Sequence, residues 1–167
     1  MLDALYLGAG LAAAGFTVAI LVIIVLQMAA RWSGIAFPGS TDYAGYCMAS
    51  ASFLAFAHAL NRGAHIRVGL LLNVLGPRRR LGEAWCFGIG SALGVYFAYY
   101  AVKAVYWSYR LNDISQGQDA TPLWVPQLGM AVGAVVFAIA LLDHLVRVIR
   151  TGDPGIVSET ADQAHAE

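Results

Sequence analysis

Four long stretches almost free of charged side chains constrain this chain more than any motif does. Residues 4–30 and 43–60 contain no Asp, Glu, Lys or Arg, 84–109 contain only Lys103, and 123–146 contain only Asp143. The hydrocarbon core of a bilayer is about 30 Å thick and is crossed by about 20 apolar residues rising about 1.5 Å each. Each stretch is therefore read as a span, the second being the shortest and least apolar. Composition agrees: 59% of the residues are hydrophobic and 12% charged, and the mean hydropathy of +0.65 is far from soluble averages. The expected fold is an all-α integral membrane protein with four transmembrane helices in one domain over residues 1–150. The first stretch opens with Asp3 and runs past the about 7–15 apolar residues of a signal peptide, so it is expected to stay in the mature protein.

Orientation follows from Arg and Lys in the short loops, which keep positive segments cytoplasmic. Arg62, Arg67, Arg78, Arg79 and Arg80 lie between the second and third spans, and Arg147 and Arg150 follow the fourth, whereas the opposite loops hold Arg31 and Arg110. Both termini are expected in the cytoplasm, although Asp3 before the first span and Arg31 after it favour the reverse for that helix alone. Trp32, Tyr43, Trp107, Tyr109 and Trp124 then fall at the periplasmic ends, where amphipathic rings prefer the headgroup region. Trp85 marks the cytoplasmic face.

Between the second and third spans, Ile66, Leu70, Leu71, Val74 and Leu75 recur at helical spacing in a segment too polar to span. An interfacial amphipathic helix is expected over about 64–76, ended by Pro77, with Arg67 and Arg78 to Arg80 reaching anionic lipid headgroups worth about 1 kcal/mol each. Residues 151–167 are small, acidic and aperiodic, the pattern of a disordered cytoplasmic tail.

Within a bilayer the hydrophobic effect does not bring helices together, and small residues that allow close contact do much of that work. Gly90 with Gly94, Gly129 with Gly133, and Ala51, Ala55 and Ala59 form such patterns. Chemistry is scarce by comparison. The ten basic and ten acidic residues balance to zero net charge, which excludes a nucleic-acid partner that needs a cationic excess. Lys103 is near enough to the periplasmic end to snorkel, and Asp143 is placed to pair with Arg147 at i+4. His58 is counted as the only histidine within a span, so a di-haem bundle with two pairs of axial histidines is excluded. Cys47 and Cys86 fall at opposite faces, too far apart to bridge, and read as buried packing residues. The first span has no acid to couple protons, as a four-helix multidrug exporter would need. No catalytic, cofactor or metal site is expected.

The run Ala59 to Leu72, ALNRGAHIRVGLLL, resembles the signature of the small membrane (Q) subunit of tripartite ATP-independent periplasmic (TRAP) transporters. Gln27 with Arg31 and Trp32 is similar to that family's exit from its first helix, and TPLWVPQLGMAVG at Thr121 to Gly133 to the entry of its fourth. The resemblance covers roughly Leu5 to Arg150, and Gly69 departs from it where the family commonly has an acid. It implies a non-catalytic subunit in the bacterial inner membrane that scaffolds a large permease for sodium-coupled uptake of an organic acid or similar solute. A periplasmic binding protein delivers that solute. Gly63, His65 and Arg67 are then expected to shape the cytoplasmic turn, with Arg67 bonding headgroups or partner carbonyls and His65 a backbone group. Arg78, Arg79, Arg80, Lys103 and Trp124 join them as interface candidates. Trp124, flanked by Pro122 and Pro126, is expected to set how the chain re-enters the membrane, or else to meet the binding protein. The competing class is an independent four-helix membrane protein, either enzyme or channel.

Overall fold

The computed structural model describes residues 2–62, 79–118 and 120–151, with the backbone alone for 79–81 and 151. Its regular elements are four α-helices: α1 (Leu2–Trp32), α2 (Ser40–Asn61), α3 (Arg79–Leu111) and α4 (Trp124–Thr151). The all-helical expectation holds. The interfacial helix expected at about 64–76, with Gly63, His65, Arg67 and Arg78, lies outside the described residues, as does the expected tail beyond Thr151.

The helix ends follow from local chemistry. Asp3 sits in the first turn of α1 and Arg31 in its last, each favourable to the helix dipole. Gly34 then takes a left-handed conformation at φ 69, so that Ile35 N–H reaches Ala30 O at 2.9 Å and Gly34 N–H reaches Arg31 O at 3.3 Å. That pair of bonds satisfies carbonyls which the helix itself leaves open. Asn112, at φ 51, repeats the device after α3, where Asp113 N–H donates to Ser108 O at 3.1 Å and Asn112 N–H to Tyr109 O at 3.4 Å. Asparagine tolerates this region better than other side chains.

The helices stand in a row rather than a closed bundle. α2 packs along α1 on one side and α4 on the other, α3 packs on α4, and α1 touches α4 only lightly. The order across the row is therefore α1, α2, α4, α3. Burial reports the same arrangement: 39% of the apolar window of α4 is buried, against 6% for α1 and 17% for α3. The core joins Tyr6, Ala9 and Ala13 of α1, Leu54, Ala57 and Leu60 of α2, and Val136, Ala140 and Leu141 of α4. Ala134 and Ala138 of α4 meet Ala98 of α3 in a second cluster.

Among the described residues, three helices are long and apolar enough to cross a membrane: Leu2–Trp32, Gly82–Leu111 and Trp124–Arg150. α2 is not among them, although its 22 residues cover the distance. The reason is its place in the row. A helix covered on two sides by other helices needs little lipid-compatible surface, and Ser50, Ala51 and Ala57 are buried there because small side chains let the neighbours approach.

The glycine patterns mark these contacts unequally. A Cβ on Gly133 would lie 2.6 Å from the Phe53 carbonyl carbon, and one on Gly129 would overlap the Ser50 hydroxyl. A Cβ on Gly94 would meet Leu141 at 2.9 Å and the Ala138 backbone at 3.7 Å, whereas one on Gly90 finds ordinary contact at 3.6 Å. Gly133→Val is expected to destabilise the chain by about 1–3 kcal/mol through overpacking. Gly15→Ala, where nothing lies within 4 Å, is expected to change it by under about 0.5 kcal/mol. Reversible unfolding in mixed micelles measures both.

Candidate functional site

Polar side chains gather at the two ends of the row. At one end α1 begins, α2 ends, α3 begins and α4 ends. Tyr6 and His144 are fully buried there, and Glu83 is 5% exposed. Asp143 forms an ion pair with Arg147 at 3.0 Å, the expected i+4 pair. The Tyr6 hydroxyl of α1 is buried without a hydrogen-bond partner among the described residues, on the side of α1 that faces Asp143 and Arg147 of α4. α1, at one edge of the row, thereby meets α4 across the end of α2. The His144 ring stacks on Phe87 of α3 with centroids 5.8 Å apart. The His58 ring of α2 lies against Gly10 of α1, where a Cβ would come within 2.9 Å of its Cγ.

His144 corrects the count that placed only His58 inside a span. It lies within 123–146 and keeps the buried spacing of Leu141 and Val148, three residues after one and four before the other. That spacing was the available signal. Two histidines on neighbouring helices still make no two pairs, and among the described residues no three His, Cys, Asp or Glu side chains could hold a metal ion. Glu83 was also missed, because a carboxylate one residue before an apolar run reads as a solvated flank.

At the other end, the α3–α4 connection folds over the start of α2. Ile114 and Pro122 form an isolated antiparallel bridge. Ser115 N–H donates to Thr121 O at 2.8 Å, and Leu123 N–H to Asp113 O at 2.9 Å. Tyr46 of α2 donates to Ser115 Oγ at 2.6 Å, and Gln118 N–H donates to Asp42 Oδ2 at 3.3 Å. Trp124 opens α4 half-buried, edge-on to Tyr109 with centroids 5.7 Å apart. Its first contact is thus with the end of α3.

The remaining candidates separate. Arg79 and Arg80 are placed as the first backbone turn of α3. Lys103 is exposed on α3, and its Nζ lies over the Tyr100 ring, 5.7 Å from the centroid. It leans toward the middle of the helix, not out past the nearer end as snorkelling would have it, because helical Cα–Cβ bonds tilt toward the N-terminus. Cys47 is half-buried and Cys86 exposed, both as free thiols. The reading of Cys86 as a buried packing residue is therefore wrong: it stands off the side of α3 that α4 covers.

This arrangement joins helices and presents surfaces. A family model described as "Tripartite ATP-independent periplasmic transporters, DctQ component" matches residues 20–151. Comparison with curated proteins and comparison with solved structures return no match.

A double-mutant cycle of Tyr6→Phe and Asp143→Asn, read by unfolding in micelles, is expected to give a coupling of about 0.6 kcal/mol, the mean for interhelical polar contacts in membranes. A coupling of zero would remove the tie between α1 and α4.

Proposed function

The chain belongs to the DctQ component family of the tripartite ATP-independent periplasmic transporters, and from that premise we propose that it braces the large membrane subunit of such a transporter. In this reading the large subunit carries the solute and sodium sites, and a periplasmic binding protein delivers an organic acid or a similar solute. The small subunit turns over no substrate. It sits in the bacterial inner membrane with all four helices across it and both termini in the cytoplasm, the side that the Arg-rich α2–α3 connection selects.

The observation that carries the reading is the chemistry of the helix contacts. The contacts between α2 and α4 are filled by Gly129 against Ser50 and by Gly133 against Phe53. The charged pair Asp143 and Arg147 is drawn into the tie between helices at one end. Groups of this kind hold helices at fixed spacing. A conduction path would call for ionisable groups facing a wet cavity near the bilayer centre.

Arg67 and His65, in a turn shaped by Gly63, meet headgroups or carbonyls of the large subunit, and Arg78 to Arg80 meet anionic lipid. Trp124 holds the α3–α4 connection in the pose that the assembled transporter uses. Co-purification of the tagged chain with the large subunit encoded beside it, together with sodium-driven uptake by the reconstituted complex, tests the reading. Arg67→Ala combined with His65→Ala is expected to lower both assembly and uptake. Unchanged assembly and uptake would contradict the role given to that turn. Trp124→Ala is expected to weaken uptake with the membrane complex intact if the binding protein docks there, and to weaken assembly if the residue only positions α4.

A further inference from the structure

α3 has two unlike faces. Gly90, Ser91, Gly94 and Ala98 turn toward α4, with Gly94 against Leu141 and Ala138. Among the described residues no helix lies over the opposite face. Along it run Gly88, Ala92, Tyr96 and Tyr100 at steps of four residues, with Tyr99 and Lys103, themselves four apart, beside them on the same side of the helix. Its N-terminal half is a shallow groove of about 480 Å³ floored by Gly88 and Ala92 between Trp85 and Ile89. Its C-terminal half is a ladder of rings: Tyr96 and Tyr100 with centroids 4.6 Å apart, Tyr99 edge-on to Tyr100 at 5.4 Å, and the Lys103 ammonium above Tyr100.

Depth makes this face unsuited to lipid. Tyr96 lies at the midpoint of the apolar span Gly82–Leu111. That span is roughly 45 Å long and the hydrocarbon about 30 Å thick, so the three tyrosines lie well inside it. Tyrosine prefers the headgroup level, and a hydroxyl in hydrocarbon needs an acceptor that acyl chains do not offer. Among the described residues the hydroxyls of Tyr96, Tyr99 and Tyr100 have no hydrogen-bond partner, and Lys103 leans toward them. The outer helix at the far side of the row is the contrast: Leu11, Val18, Leu21, Val22 and Val25 of α1 are exposed and wholly aliphatic. One edge of the row suits acyl chains, and the other asks for protein.

We propose that the outward face of α3 is the docking face for the large membrane subunit, and that the outward face of α1 is the lipid face. This inference rests on the reading above. The occupant is a transmembrane helix that lies in the Gly88–Ala92 groove and supplies carbonyl or hydroxyl acceptors to the tyrosines and a carboxylate or carbonyl to Lys103. A lipid tail fits the groove but not the ladder.

A photo-crosslinking residue, p-benzoylphenylalanine, is placed singly at Ala92, Tyr99, Val18 or Val25 in the chain co-expressed with its large subunit. Adducts with the large subunit are expected from positions 92 and 99 and not from 18 and 25. Co-purification with adducts only from 18 and 25 would overturn the assignment while leaving the bracing role in place. No co-purification of a large subunit would overturn that role and this inference together. Ala92→Trp fills the groove on the side away from α4, and Lys103→Leu removes the charge. Each is expected to give a several-fold loss of co-purified large subunit at unchanged thermal stability of the isolated chain. Undiminished co-purification with both variants would also overturn it.

Discussion

The approach of α2 to α4, where glycine meets serine and backbone, is the contact on which the rest of the structure depends. In lipid there is no gain from moving leucine out of acyl chains and against another helix, so association rests on van der Waals fit and on polar contacts. Gly133 lets Phe53 come close enough that any Cβ would collide with it, and Gly129 makes room for Ser50. With that seam closed, α1 and α3 have two fixed inner helices to lean on. The buried polar end adds direction. Tyr6 of α1 is buried against the end of α4 that carries the Asp143–Arg147 pair, and the stacking of His144 on Phe87 sets the rotation of α4 against α3.

A row differs from a closed bundle in what it leaves open. A bundle of four helices hides one side of each, whereas the row α1, α2, α4, α3 covers its inner pair and leaves its outer pair largely exposed. Such a shape has little interior in which to build a solute site and a large perimeter with which to meet lipid or protein. Membership in a transporter-component family fits that shape. The bracing role proposed above calls for surfaces more than cavities. The strapped α3–α4 connection, tied to α2 through Tyr46 and Asp42, fixes the relative height of the central and outer helices at the opposite end.

Much of this was legible in the residues. Uncharged stretches separated by polar turns can only be helices in a bilayer, since lone strands would leave backbone groups unpaired there. The pairs Gly129 with Gly133 and Gly90 with Gly94 pointed to close approach, and three of those four glycines are in tight contact. Asp143 and Arg147 pair as their spacing indicated. The order of helices in the row was not legible, because periodicity reports which residues share a face and not which neighbour that face meets. The low apolarity of α2 suggested only a weak span, when it follows from a central position. His144 was hidden by the charged pair around it, and the Lys103 direction follows from the tilt of the Cβ bond, which sequence spacing does not reveal. The left-handed Asn112 and the bridge of Ile114 with Pro122 are set by backbone geometry that no pattern announced.

If the helices of this chain serve as a brace, they should move nothing on their own. The most direct measurement is flux of radiolabelled sodium and of a panel of radiolabelled carboxylates into liposomes that contain the chain alone, beside liposomes that contain it with its large subunit and the binding protein. Flux indistinguishable from empty liposomes for the chain alone, with uptake restored in the full set, is the expected result. Sodium or carboxylate flux through the chain by itself would contradict it.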